Sequence, residues 1–163
     1  MDVTKFTPQQ RNTLLKVFHA GNRFMVWMWK MGWGQAINIW RAAFGRIMVI
    51  KHRGRKSGKE YLTPVNYAIV DGEIHCTAGF GAISDWYRNI LVYPRVELWL
   101  PEGKNIYCAD DISDSPRRLF LLRQVIIASG FAGPLFGINP KKLNDEQLDK
   151  ISKDYRLVHF TQQ

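Results

Sequence analysis

The 163-residue chain predicts an α+β fold, a small antiparallel barrel of five or six strands with peripheral helices. Three observations lead there. Short runs of β-branched and aromatic residues alternate with polar ones between residues 46 and 112. Turn signals separate these runs, at Gly54 to Gly58, Asp71-Gly72 and Pro101-Glu102-Gly103. Helical patterns flank the strands instead of alternating with each one. Strand counting alone does not separate such a barrel from an OB-like one.

Thr7-Pro8-Gln9-Gln10 opens the first helix, with Thr7 as N-cap, Pro8 at the first position and Gln10 completing a capping box. That helix carries Leu14, Leu15, Phe18, Met25, Trp27, Met28 and Met31 and ends near Gly32 and Gly34; Trp33, Ile37, Trp40 and Phe44 follow at mixed spacing. Arg46 to Arg53 reads as a strand with Ile47, Val49 and Lys51 on one face. Tyr61 to Val70 is the second, and Pro64 within it implies an edge or a bulge. Asp71-Gly72 turns the chain into Glu73 to Ala78. Ser84 or Asp85 caps a short helix over Trp86 to Leu91, which Pro94 stops. Val96, Leu98 and Leu100 alternate with Glu97 and Trp99, and Lys104 to Ile112 is the returning strand. Ser113-Asp114-Ser115-Pro116 opens a helix holding Leu119, Leu122, Ile126 and Ile127. Asn144 caps the last helix with Gln147, and Tyr155 to Thr161 ends as a strand. Residues 1–45 therefore read as a helical segment packed on a barrel of residues 46–163, one domain in all.

An apolar content of 46% argues against disorder. Cys76 and Cys108 lie in separate strands without C-x-x-C spacing and read as reduced thiols of a cytoplasmic protein. His19, His52, His75 and His159 show no metal-ligand spacing, so no metal is expected. The net charge of +9 is uneven: residues 1–60 carry twelve Lys or Arg against Asp2 and Glu60, while the rest carries eleven against twelve acids. Such a field suits an acidic cofactor tail or an anionic membrane surface. No nucleic-acid-binding motif accompanies it, so nucleic acid is not an expected partner. Met1 to Arg11 has no secretory character, and Lys30, Arg41 and Arg46 interrupt Phe24 to Ile50 as a transmembrane span. Trp27, Trp29, Trp33 and Trp40 beside Arg23, Lys30, Arg41 and Arg46 have the composition of an interfacial helix, or of a cover for one mouth of the barrel.

The most informative segment is Gly54-Arg55-Lys56-Ser57-Gly58-Lys59-Glu60. Glycines allow positive φ and close approach, and successive N–H groups in such a turn form an anion nest. Arg55 can fork onto phosphate oxygens while Lys56 and Lys59 add charge. It is not a nucleotide-triphosphatase loop: only three residues separate its glycines, and Glu60 follows Lys59. A second segment is Gly79-Phe80-Gly81-Ala82-Ile83-Ser84-Asp85-Trp86-Tyr87-Arg88-Asn89, followed by Tyr93-Pro94-Arg95-Val96.

Over residues 46–100 the two segments together resemble the deazaflavin-dependent nitroreductase and quinone reductase family, whose members use coenzyme F420. The resemblance implies a split β-barrel of the FMN-binding, pyridoxamine-phosphate-oxidase type. It further implies that Arg55, Lys56, Ser57 and Gly58 hold the phosphate, with nearby cations meeting the glutamyl tail. Tyr61, Thr63, Pro64, Val65 and Asn66 would line the next part of the groove, and Thr77, Ala78, Gly79 and Phe80 would border the ring. Asp85, Trp86, Tyr87, Arg88 and Asn89 would close over it, with Tyr87 the candidate proton donor and Asn89 suited to a ring carbonyl. The implied activity is hydride transfer from reduced F420 to a hydrophobic acceptor: a quinone, an unsaturated lipid, or a nitro or enone compound. FMN in the same barrel and a non-catalytic flavin- or lipid-binding protein are the alternatives. Two departures weaken nitroreduction. Gly79-Phe80 stands where relatives often carry Ser-Lys, and Ala128 to Gly137 is apolar where nitroimidazole-reducing members are tyrosine-rich. The expected state is monomer or homodimer, cytoplasmic, with peripheral attachment to anionic membranes.

Overall fold

The computed structural model describes residues 21–34, 36, 45–130, 139, 140 and 142–163. The Thr7 cap, the positions of Ile37, Trp40 and Phe44, and most of the apolar stretch after Ala128 lie outside them. The described residues form six strands: β1 (Ile47–Arg53), β2 (Glu60–Val70), β3 (Glu73–Ala78), β4 (Arg95–Leu100), β5 (Gly103–Asp111) and β6 (Arg156–Gln162). The described helical residues 21–30 are α1; α2 is Asp85–Val92, α3 Arg118–Ala128 and α4 Asp145–Ser152. The strands close a barrel in the order β1-β2-β3-β6-β5-β4, every pairing antiparallel.

Alternation sorts the side chains as the sequence implies. Met48, Ile50, Tyr67, Ile74, Cys76, Val96, Leu98, Val158 and Phe160 point inward and fill one core with Tyr87 and Ile90 of α2. Each such fully buried side chain stabilises by roughly 1.5–3 kcal/mol. The outer face of β1 and β4 presents Ile47, Val49 and Trp99, covered by Trp29 with Met25, Val26 and Met28 of α1. The described part of α1 thus covers a wall of the barrel, not one of its mouths. On the opposite wall, Leu121 and Val125 of α3 pack on Ala68, Val70 and Leu157. Cys76 is buried, Cys108 half-buried, and both are free thiols.

The Asp71-Gly72 hairpin has both residues at positive φ, 54° and 85°, as a two-residue turn of this hand requires. α4 carries the expected capping box between Asn144 and Gln147. The start of α3 differs from expectation. Ser113 is drawn to Asp111 and to the Leu157 backbone N–H, so the helix begins only at Arg118, without a side-chain cap. Pro64 stands where β2 has one neighbour only. β2 pairs with β1 from Glu60 to Asn66, whereas its pairing with β3 starts at Tyr67. Proline offers no N–H, so the unpaired side of a strand is its proper place. This half of β2 is bonded on one side only.

Candidate functional site

The β1–β2 connection is closed locally by Gly54 N–H to the Lys59 carbonyl and Gly58 N–H to the Gly54 carbonyl, both at 2.8 Å. Gly58 sits at φ +67°. A Cβ on Gly54 would come within 2.6 Å of both Ser57 Oγ and the Tyr61 ring. Ser57 Oγ lies 3.1 Å from the Tyr61 hydroxyl. These contacts leave Lys56, Ser57 and Lys59 at the exposed crest.

The turn is also fastened from outside, by α2. Asn89 Oδ1 accepts from the Arg55 backbone N–H (3.0 Å) and from Arg55 Nη1 (2.9 Å). Arg55 Nη2 meets Asp85 Oδ1 at 2.9 Å. Asn89 Nδ2 donates to His52 Nδ1 at 3.2 Å, and His52 Nε2 lies 3.0 Å from Thr63 Oγ1. Because an amide nitrogen only donates, His52 Nδ1 is the acceptor, and Nε2–H donates to Thr63. Burial pushes the His52 pKa down to about 4, with Asp85 only partly offsetting it. The imidazole is therefore neutral near pH 7. His52, Arg55, Thr63, Asp85 and Asn89 form one network joining β1, β2, the turn and α2.

Several expected site residues take roles that the resemblance did not imply. Asn89 is 5% exposed, with its side-chain oxygen on Arg55 and its nitrogen on His52. Arg55 is fastened to α2 instead of extending freely from the turn. Tyr87 is 3% exposed, with its hydroxyl on Asp111 Oδ2 at 2.6 Å. Burial, then that carboxylate, pushes its pKa up to about 12. Desolvation opposes ionisation of Asp111, yet hydrogen bonds from Ser113 and Tyr87 and the charge of Arg156 hold its carboxyl below the ordinary value. Trp86 is half-exposed and stands edge-on to Tyr87. Exposed Arg88 donates to the Ala82 carbonyl at 2.7 Å.

Along β2, Tyr61, Thr63 and Val65 pair with the inward-facing positions of β1, while Pro64 and Asn66 turn to the outer wall. Asn66 reaches the Arg46 carbonyl there. At the end of β3, Ala78 faces inward and Thr77 outward. Gly79 is exposed, and a Cβ added to it would meet nothing closer than the Tyr155 ring at 4.0 Å. The glycine that the backbone demands is Gly81, at φ +62° against the Asp154 carbonyl. Among the described residues, two buried polar atoms near this strand end lack hydrogen bonds, Thr77 Oγ1 and Nε of Arg156, which pairs with Ala78. Beside Gly58 a cavity of about 360 Å³ is lined by Lys51, Arg53, Glu60, Arg95 and Glu97 among others. Lys51 is held by Glu60 at 3.0 Å, and Arg53 lies over the Tyr93 ring.

Sequence reading missed His52, Asp111 and Arg156. A lone histidine in a strand carries no motif. Its one signal was its place on the inward face, two residues before the glycine turn. Asp111 and Arg156 come to the site only through the β3–β6–β5 pairing.

A profile described as F420H(2)-dependent quinone reductase matches residues 22–132. No curated protein sequence matches the chain. Among solved structures, a conserved hypothetical protein, Rv2991, from Mycobacterium tuberculosis is 22% identical with a TM-score of 0.51, over 72% of this chain and 73% of that one. An F420-H2 dependent reductase, FDR-A, is 15% identical with a TM-score of 0.50, over 71% and 94%. A FAD-binding protein from Mesorhizobium loti is 10% identical with a TM-score of 0.51, over 77% and 86%. Of two further similar structures the chain covers 53% and 50%. At these identities the likeness establishes the fold, a split barrel shared with flavin- and deazaflavin-binding proteins.

Proposed function

The chain belongs to the F420H(2)-dependent quinone reductase family, and we propose that it reduces a hydrophobic acceptor, a quinone before an unsaturated lipid or an enone, with hydride from reduced F420. The observation that carries this reading is the cationic turn Arg55–Lys59, pinned to α2 beside the half of β2 that pairs with β1 alone. The residues fit the coenzyme's parts. Lys56, Ser57 and Lys59 form the exposed crest, with backbone N–H groups and two ammonium groups for a phosphate. Arg53 and Arg95 at the neighbouring cavity suit a glutamyl tail. Open space over Gly79 and the unpaired Arg156 Nε suit a planar ring with polar edges.

When bound, the reduced deazaflavin supplies the hydride, and the protein contributes placement and exclusion of water. The His52–Asn89–Arg55 network fixes the turn before any ligand arrives, which reduces the ordering cost of binding. Asp85 is mostly exposed and occupies one branch of the Arg55 guanidinium. A phosphate at the crest would take that branch in its place. Tyr87 anchors α2 through Asp111, and no proton transfer is assigned to it. The apolar stretch after Ala128 favours a quinone over a nitro compound.

Titration of the purified protein with F420 and with FMN, followed by turnover of reduced F420 with a quinone, tests the reading. Tighter binding of F420 and quinone-dependent oxidation are expected. Preferential FMN binding would move the protein to the flavin-dependent alternative, and binding without turnover would make it a storage module.

A second reading concerns location. Phe24, Trp27, Met31 and Trp33 are each more than half exposed on and just after α1, alongside exposed Arg23 and Lys30. Among the described residues no helix is long and apolar enough to cross a membrane. We propose salt-sensitive peripheral attachment to anionic lipid, which would bring the site to a membrane-dissolved quinone. Sedimentation with anionic vesicles at low salt and release at high salt are expected. A protein that stays in the supernatant at low salt defeats the idea.

A further inference from the structure

On the outer wall of the barrel, Glu73, His75 and His159 bring a carboxylate oxygen and two imidazole nitrogens within 4.8 Å of one another. The register explains the cluster. His75 of β3 pairs directly with His159 of β6, and Glu73 lies two residues before His75 on the same face. The two rings stack with centroids 5.0 Å apart and planes at 23°.

Two details distinguish these histidines from ordinary wall residues. His75 is 3% exposed, and its Nδ1 lies 3.2 Å from the Glu73 carbonyl oxygen. A carbonyl only accepts, so Nδ1 carries the proton and Nε2 keeps its lone pair. A backbone acceptor on one ring nitrogen is how proteins set the tautomer of an imidazole that ligates through the other. His159 Nε2 is shielded from solvent and has no hydrogen-bond partner among the described residues; it lies 3.4 Å from Glu73 Oε2 without hydrogen-bond geometry. Buried polar atoms are nearly always partnered, and one that is not calls for an explanation.

We infer that Glu73, His75 and His159 are the protein ligands of a divalent transition-metal site of the Zn(II) type, with water completing the coordination. Two nitrogen donors and one carboxylate select such an ion over Mg(II) or Ca(II), which take oxygen ligands. Bonds of about 2.0–2.1 Å to a tetrahedral ion set ligand atoms about 3.4 Å apart. The Glu73–His159 pair already has that spacing, and the Glu73 side chain, 59% exposed, is free to adjust the rest. Arg117, the cation whose charge reaches His75, is occupied by Asp71 at 2.7 Å. Asp110 of β5 pairs with His159 on the same face and adds negative charge. The ion would strap β3 to β6, the strands that end at Ala78 and begin at Arg156.

The test uses tag-free protein stripped with a chelator. Titration with Zn(II) should show one equivalent bound and a raised melting temperature, Co(II) should give the visible spectrum of a four-coordinate ion, and Mg(II) should do neither. Glu73→Gln and His159→Gln alter side chains that are not fully buried. Each should fold by circular dichroism and bind Zn(II) at least tenfold more weakly. His19 and His52 remain in both variants, so adventitious binding at either would survive the substitutions. Absence of Zn(II) binding in the wild-type protein, or wild-type affinity in both folded variants, overturns the proposal.

Discussion

β2 begins and ends in a hairpin turn, and the two turns are held in opposite ways. At Asp71-Gly72 the backbone does everything: two positive φ values match the twist of β2 and β3. Asp71 meets Arg117 there, a contact between two mostly exposed groups. At Gly54–Gly58 the glycines close the chain, but the shape of the crest depends on Asn89, a residue of another element. A turn that only reverses the chain can be specified by two residues. A turn that must present cations at fixed positions needs support from a second element, and α2 supplies it.

Removing that support should have the largest effect. Asn89→Ala would leave His52 Nδ1, the Arg55 backbone N–H and part of the guanidinium without their partner. An unsatisfied buried group costs about 1–3 kcal/mol, and the loss should appear both as a lower urea midpoint and as weakened F420 binding. Equal stability and affinity in Asn89→Ala would mean that the turn holds itself, as the other one does.

Acid should find the same weakness. The unfolded chain protonates His52 near 6.5, whereas the folded one resists down to about 4. The folded pKa is the lower, so stability is full above 6.5 and declines as pH falls toward 4. Integrated over that window, the loss is about 3 kcal/mol at one pKa unit per 1.36 kcal/mol. In His52→Gln the acid limb of the stability profile should flatten. An unchanged limb would place the titration elsewhere.

Arg55→Ala keeps the backbone hydrogen bond to Asn89 and removes only the fork. A charge-assisted hydrogen bond contributes about 1.5–3 kcal/mol, so F420 affinity should drop about tenfold to a hundredfold, with a small change in melting. The matching substitution at the other turn, Arg117→Ala, should shift stability by less than about 1 kcal/mol and leave F420 affinity unchanged. If both variants bind F420 like the wild type, the phosphate does not sit at the Gly54–Gly58 turn.

The same contrast explains what the sequence made legible. Strands β1 to β5 followed from alternation and local turn chemistry, which neighbouring residues specify. Glu73–Ala78 is β3 from end to end, and Asn144 with Gln147 caps α4 as read. The late start of α3 was hidden because Ser113, a plausible cap in isolation, is taken by Asp111 and β6. Arg55 was legible as a cation in a glycine turn. That it is bonded to Asn89 depends on where α2 lands. His75 and His159 showed no ligand spacing because their proximity is a matter of register. That Tyr87 is buried with its hydroxyl on Asp111 depends on how α2 packs into the barrel.

Pro64 carries a consequence for how copies of this molecule meet one another. The half of β2 bonded to β1 alone presents a row of main-chain groups that a strand from a neighbouring molecule could zip onto. Proline in the middle of that row withholds a donor and thickens the edge with its ring, so an incoming strand cannot run through. The edge is thereby guarded against pairing with a second copy of the chain.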